Sequence, residues 1–300
     1  MATYHVHAGT ISRGRKTTAA AYHKYITRQG KYAKRDDLIA VVSGNLPSWA
    51  ETAEDYWCAA DAYERKNGRL CKTYDIALPK ELGEDTAIKI GVYIMDIIAN
   101  PDGPDGPEAL PYTGAIHRGR NGNVHAHIEI SERITDDLQR TPEQHFARAA
   151  PKPKPGQAPK VGGGARKSMI IRQKAWLQYV REMVADVINY SYEQAGLDYR
   201  VDHRSYKARG IDKIPGEHIG PRLMAIASKL GIDADGIATN KIIRNNIRDA
   251  INRNKLSPTH NSAMSKADVY IDNDIYDNNI PSDTTNQHDN TYDDRPTIRR

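Results

Sequence analysis

His125 and His127 stand two residues apart in the stretch Leu110 to Arg133, LPYTGAIHRGRNGNVHAHIEISER, and that spacing constrains the fold more than any other feature of the chain. On a β-strand, side chains at i and i+2 point the same way, so both imidazoles and Glu129 beyond them share one face; on a helix the pair would diverge. Val124 to Ile130 alternates small or β-branched residues with histidine, and Pro111 to His117 is also strand-like. Between them, Arg118 to Val124 supplies the Asn-Gly turn chemistry of a hairpin, which folds His117 back beside the other two. Three neutral imidazoles leave a divalent cation with open coordination positions, the arrangement of a catalytic rather than a closed structural site. The competing reading is a solvated, histidine-rich turn, favoured by Arg118, Arg120 and Asn123.

Length and charge narrow the setting. Three hundred residues bury one good core and carry an appendage, so one domain plus a tail is expected. Lys and Arg number 43 against 38 Asp and Glu, a net +5 with a pI near 9.0. The excess is uneven. From Leu256 onward eight aspartates face Lys266, Arg295, Arg299 and Arg300, a net −4 that leaves +9 on the rest. A basic body with an acidic end fits a polyanion-binding domain with a self-masking tail. Only Cys58 and Cys71 are present, which points to a reducing, cytoplasmic compartment and excludes a zinc ribbon. The most apolar run, Ala87 to Ile98, is too short to span a membrane and contains Lys89 and Asp96.

Along the chain, Thr3 to Ala8 alternates as an opening strand, with His5 and His7 read as polar residues on its wet face. Ser12 to Lys16 reads as a basic loop. Thr17 or Thr18 then caps a helix from Ala19 to about Gln29, stopped by Gly30, with Tyr22 and Tyr25 one turn apart among His23, Lys24 and Arg28. Thr52 and Asp55 resemble a capping box opening a helix to Lys66. The strand Cys71 to Leu78 carries Asp75 as its odd residue, either wet at a sheet edge or held by a cation or an imidazole N–H. Glu84 to Ala99 is an apolar helix, and Pro151 to Arg166 a mobile basic loop with Lys152, Lys154 and Lys160. Ile170 to Gly196 is a long helix, Tyr199 to His203 a short strand, and Met224 to Gly231 and Lys241 to Asn254 two further helices. The residues beyond Ser257 are too polar to pack and are expected to be disordered.

A triad of imidazoles, a basic surface and a tyrosine in a positive setting suggest phosphoryl transfer with a phenolate nucleophile. A phosphodiester is already anionic, so attack requires charge neutralisation on its non-bridging oxygens, which a divalent ion supplies. Tyrosine has a pKa near 10 in water, so it needs nearby cations or a base. Lys24 and Arg28 supply the first, and Asp75 is the candidate for orienting an imidazole or taking the proton.

The stretches MATYH, AAAYHKYITRQGKYA, EDYWCAADAYERKNGRL, DIALPKEL, LPYTGAIHRGRNGNVHAHIEISERI, RVDHRSYKARGI and PGEHIGP follow one another in an order that resembles the MobA/MobL-type plasmid mobilisation relaxases, the MOBQ class of the HUH endonuclease superfamily. The resemblance implies an α/β (α+β) domain over residues 1–222, an antiparallel sheet with the histidine hairpin central and helices flanking it. A helical extension, 223–255, and an acidic tail, 256–300, would follow. It implies Tyr25 as nucleophile and His117, His125 and His127 as ligands of a divalent ion, Mg2+ or Mn2+. The family's acidic residue before the ALP of the strand is here Asp75 rather than glutamate, and a second glutamate two residues earlier is Thr73, so the proton acceptor is not assigned. Lys24, Arg28, Arg118, Arg120, Lys152, Lys154 and Lys160 are the expected DNA contacts. The implied partners are single-stranded origin-of-transfer DNA, accessory mobilisation proteins and a conjugative type IV secretion channel. The rivals are a metal-containing DNA-binding regulator without covalent chemistry and a metal nuclease that uses water.

Overall fold

In a computed structural model of the chain, residues 4–14, 17–119, 122–151 and 163–212 are described. Five strands form one antiparallel sheet: β1 (Val6–Ser12), β2 (Leu38–Gly44), β3 (Arg69–Ala77), β4 (Tyr112–Arg118) and β5 (Val124–Ile130), in the order β1-β3-β5-β4-β2. β5 is therefore central and the histidine hairpin β4–β5 lies inside the sheet, as the period-two pattern predicts. Its turn is closed by hydrogen bonds from Gly119 N to Asn123 O and from Gly122 N to Gly119 O, and Gly122 has φ 69°.

Alternation decides what each face buries. Tyr74 and Ile76 of β3, Ile116 of β4 and Ile128 and Ile130 of β5 form an apolar face packed with α3 (Glu84–Ala99) and α5 (Lys174–Gln194). Each such side chain taken from water contributes about 1.5–3 kcal/mol. Gly114 allows α3 its close approach, since a Cβ there would lie 2.2 Å from Met95 Sδ. The opposite face is covered by α1 (Ala19–Ile26) and α2 (Ala53–Tyr63), with a smaller core of Ala19, Tyr56, Trp57, Ala60, Cys71 and Phe146. Phe146 comes from the short α4 (Pro142–Phe146).

The capping box at Thr52 and Asp55 forms, and Thr18 caps α1 by accepting from Ala21 N. α1 also receives a carboxylate from its neighbour: Asp61 of α2 accepts from the amides of Ala19 and Ala20 at 2.9 and 3.0 Å. These bonds satisfy donors that every helix start leaves open.

Several expectations need correction. β1 begins later and runs to Ser12, because its pairing with β3 continues through Ile11 and Cys71. β2 is an edge strand that the sequence reading did not identify. Residues Tyr199 to His203 are not a strand: Val201 N and O are taken by the Asn189 side-chain amide, at 2.8 and 2.9 Å, in place of a ladder. The loop from Pro151 lies largely outside the described residues, while Gly163 and Gly164 are bridged to Ala149. The helices expected after residue 222 and the acidic tail also lie outside the described residues.

Candidate active site

Cross-strand register assembles the histidines. His117 faces His125 across β4–β5, and Asp75 faces His127 across β3–β5, all on the face beneath α1. The three ring centroids are 4.8 to 5.6 Å apart, and one nitrogen from each ring lies within 4.8 Å of the others. Among the described residues this is the one cluster of its kind.

The donor set fits a divalent ion. His127 donates Nδ1–H to Asp75 Oδ1 and His125 Nδ1 lies 3.5 Å from Asn123 O, which leaves the Nε2 of each ring available. A carboxylate behind a ligating imidazole fixes its tautomer and raises its basicity. His117 is fully buried and differs: its Nδ1 accepts from Arg28 Nη2 at 3.0 Å and its Nε2–H donates to Ile26 O at 2.7 Å. Burial and the neighbouring His127 lower its pKa to about 3, so the ring is neutral.

Asp75 is neither wet nor idle. β3 lies between β1 and β5, and the second carboxylate oxygen of Asp75 is 3.5 Å from His7 Nδ1 on β1. Burial alone would raise its pKa, but the hydrogen bonds from His127 and His7 outweigh burial and hold the carboxyl well below its ordinary range. His7, read from sequence as a wet polar residue, is thus paired, and the bond to Asp75 raises its pKa. The same i, i+2 logic that singled out His125 and His127 marks His5 and His7; the pairing of β1 with β3 was the missing information.

Tyr25 lies 8% exposed on α1, its ring edge-on to His127 with centroids 5.9 Å apart. Tyr32 packs against it at 5.2 Å, and the guanidinium carbons of Arg28 and Arg35 lie 4.7 and 5.6 Å from its ring centre. Tyr22 is also buried, 6.1 Å away. Tyr25, Asp75 and the three histidines are therefore brought together.

The expected DNA contacts are placed differently from one another. Lys24 is half-exposed and paired with Glu54 at 3.0 Å, and Arg118 is exposed and paired with Glu84 at 2.6 Å. Arg28 turns inward, its side chain only 4% exposed, and binds Asp37 through Nε at 2.6 Å and Nη2 at 2.8 Å. Those bonds hold the Asp37 carboxyl below its usual range. Asp37 is a partner that no sequence signal marked; the bond from Arg118 N to its backbone oxygen at 2.7 Å places it there. Arg120, Lys152, Lys154 and Lys160 lie outside the described residues.

An antiparallel sheet with the histidine hairpin central and helices flanking it is the architecture that the resemblance implies, and here Asp75 and Tyr25 both meet the same member of the histidine triad, His127. The model of the MobA/MobL family matches residues 15–229, and the chain belongs to that family. It is 42% identical over 236 residues to mobilization protein A of Escherichia coli, covering 78% of this chain and 32% of that protein. It is 36% identical over 227 residues to the 43 kDa relaxation protein of Salmonella typhimurium, covering 71% of this chain and 56% of that one. The chain thus spans about a third to just over half the length of these relatives. A solved structure described under the heading of the molecular basis of vancomycin resistance transfer in Staphylococcus aureus superposes with a TM-score of 0.50 at 20% identity, covering 68% of this chain and all of that one, a likeness of fold. Among the described residues no helix is long and apolar enough to cross a membrane.

Proposed function

We propose that the chain is a DNA relaxase that nicks one strand of plasmid DNA at an origin of transfer, with Tyr25 as the nucleophile and His117, His125 and His127 as the ligands of Mg2+ or Mn2+. The observation that carries this reading is the packing of Tyr25 against His127 within the triad. A divalent ion bound there supplies charge neutralisation for the scissile phosphate. The chain's own residues do the rest. The Tyr25 oxygen forms a bond to phosphorus as the bond from phosphorus to the 3′ oxygen breaks; the phenol loses a proton and the 3′ oxygen gains one. The product is a tyrosyl ester of the 5′ phosphate and a free 3′ hydroxyl. Asp75 serves as the orienting group of His127 rather than as the proton acceptor, because both of its oxygens are engaged and its depressed pKa makes it a weak base.

The ester conserves the energy of the original bond, so a 3′ hydroxyl entering along the same line rejoins the strand through the same transition state. Residues 1–222 are the nicking domain in this reading, and 223–255 and 256–300 its helical and acidic extensions. Its partners are single-stranded origin DNA, accessory mobilisation proteins and a type IV secretion channel, met in the cytoplasm. Lys24 and Arg118 contact phosphates by exchanging Glu54 and Glu84 for the backbone.

The test is an exchange reaction between two single-stranded oligonucleotides of different length that share the cleavage site. Hybrid lengths, together with a 3′-side fragment that enters a denaturing gel only after protease treatment, are the expected result. Free shortened fragments alone would support the water-using nuclease, and binding with no cleavage would support the regulator.

A further inference from the structure

The helices α1 and α5 end with the same hydrogen-bonding motif, and only α5 uses the residue that the motif favours. At the end of α5, Leu197 N bonds Tyr192 O and Gly196 N bonds Glu193 O, with Gly196 at φ 68°. At the end of α1, Gln29 N bonds Lys24 O and Arg28 N bonds Tyr25 O, with Arg28 at φ 55°. Glycine is the ordinary occupant of this left-handed position because it has no Cβ to clash. A buried arginine held there is strained, and strain of this kind persists where the surroundings over-determine it.

The surroundings do so here through the guanidinium. Besides the fork onto Asp37, Nη1 donates to Tyr25 O and Nη2 donates to His117 Nδ1. A guanidinium only donates, so this contact holds His117 in the tautomer with its proton on Nε2, where it meets Ile26 O. Arg28 and the carbonyl of Ile26, the residue after Tyr25, thus occupy both nitrogens of one triad member. For His117 to join His125 and His127 around a cation, one of these bonds must open, and a fixed positive charge stands beside the incoming one.

We propose that Arg28 is a positioning residue that ties the helix bearing Tyr25 to His117 and competes with the divalent ion for that imidazole, so that ion binding and the seating of the nucleophile helix are linked through one side chain. The proposal rests on the reading of the triad as a metal centre. A residue that merely braces the site would, when removed, loosen it and weaken ion binding; a competitor would, when removed, strengthen it.

Mn2+ binding to the purified full chain, followed by the electron paramagnetic resonance of the free ion, separates the two. Arg28→Gly removes the guanidinium and suits the backbone, so the fold is retained; Arg28→Asn, also tolerant of positive φ, serves if the glycine variant melts early. The expected result is Mn2+ affinity about tenfold tighter than wild type, since a positive charge beside the cation is removed and His117 Nδ1 is released from its donor. The gain is expected to vanish when His117→Ala is added, and strand cleavage by Arg28→Gly at saturating Mn2+ to be slower than wild type. Unchanged or weaker Mn2+ binding by a folded Arg28→Gly overturns the proposal while leaving the metal centre standing. A wild type that binds no Mn2+ overturns both.

Discussion

One sheet in this protein carries two very different surfaces, a single residue apart along each strand. On β5, Ala126, Ile128 and Ile130 enter the core beneath α3, while His125, His127 and Glu129 face α1. Both faces are dry. His117, Thr113 and Glu129 are fully buried, as completely as Ile128 and Ile130. On the apolar side dryness stabilises the fold directly; on the polar side it must be offset group by group with hydrogen bonds. The offset is incomplete between β5 and α1. Glu129 Oε2 and His23 Nδ1 lie 3.9 Å apart and neither has a hydrogen-bond partner among the described residues, Cys71 Sγ being the donor to the other carboxylate oxygen. Burial pushes the Glu129 carboxyl well up and the His23 imidazole down, each away from its charged form. The comparison teaches that the polar face trades stability for chemistry and the apolar face supplies what is traded.

Substitutions on the two faces therefore have opposite signatures. Tyr25→Phe deletes only the phenolic oxygen proposed to attack, and strand cleavage is expected to fall by at least about 10³-fold with an unchanged melting temperature and unchanged binding to origin DNA. Tyr22→Phe is expected to be mild in the same gel assay; the reverse ranking would move the nucleophile one turn along α1. Ile94→Ala, on the fully buried face of α3, is expected to cost about 2–5 kcal/mol in urea unfolding and leave Mn2+ affinity alone. A large change in ion binding there would mean that the two faces are coupled.

His127→Ala is expected to weaken Mn2+ binding by about 100-fold in titration calorimetry, with a folded protein remaining. Equal affinity in wild type and variant would remove the triad from the metal centre. The smallest effect belongs to Glu129→Gln. Because burial raises the folded-state pKa of Glu129, the carboxyl gives up its proton more readily in the unfolded chain, where it ionises above about pH 4, than in the fold, which disfavours folding as pH rises. Glutamine removes that penalty. The variant is expected to be more stable than wild type at pH 7 and to lose that advantage near pH 4; thermal melts at the two pH values check the sign.

The centre of this site was legible because it obeys short-range rules. Period two placed His125 and His127 together, and an Asn-Gly turn brought back His117. Thr52 and Asp55 announced α2, and the apolar spacing of Glu84 to Ala99 matched α3 at both ends. The edges were not legible, because sequence-distant pairing determines them. His7 acquires a partner only when β1 docks on β3, and Asp37 only when Leu38 pairs with His117. Arg28 was read as a cation beside Tyr25 and a DNA contact, yet a left-handed backbone turns it inward, and no local pattern predicts an arginine in that conformation.

The bonds from Asp61 to the first amides of α1 bear on how long Tyr25 stays in place. Eight residues are too few for a helix to persist alone in water, since nucleation costs more than so short a ladder returns. The address of Tyr25 is therefore borrowed: α2 holds the first turn through a carboxylate, and Asp37, beside the hairpin, holds the last through a guanidinium. The lifetime of the intact helix, and with it the fraction of time the phenol faces His127, is then governed by the slower of two release events at opposite ends. Amide hydrogen exchange along Tyr22 to Ile26 reads that clock directly, and releasing one end by Asp61→Asn leaves the other to govern it alone.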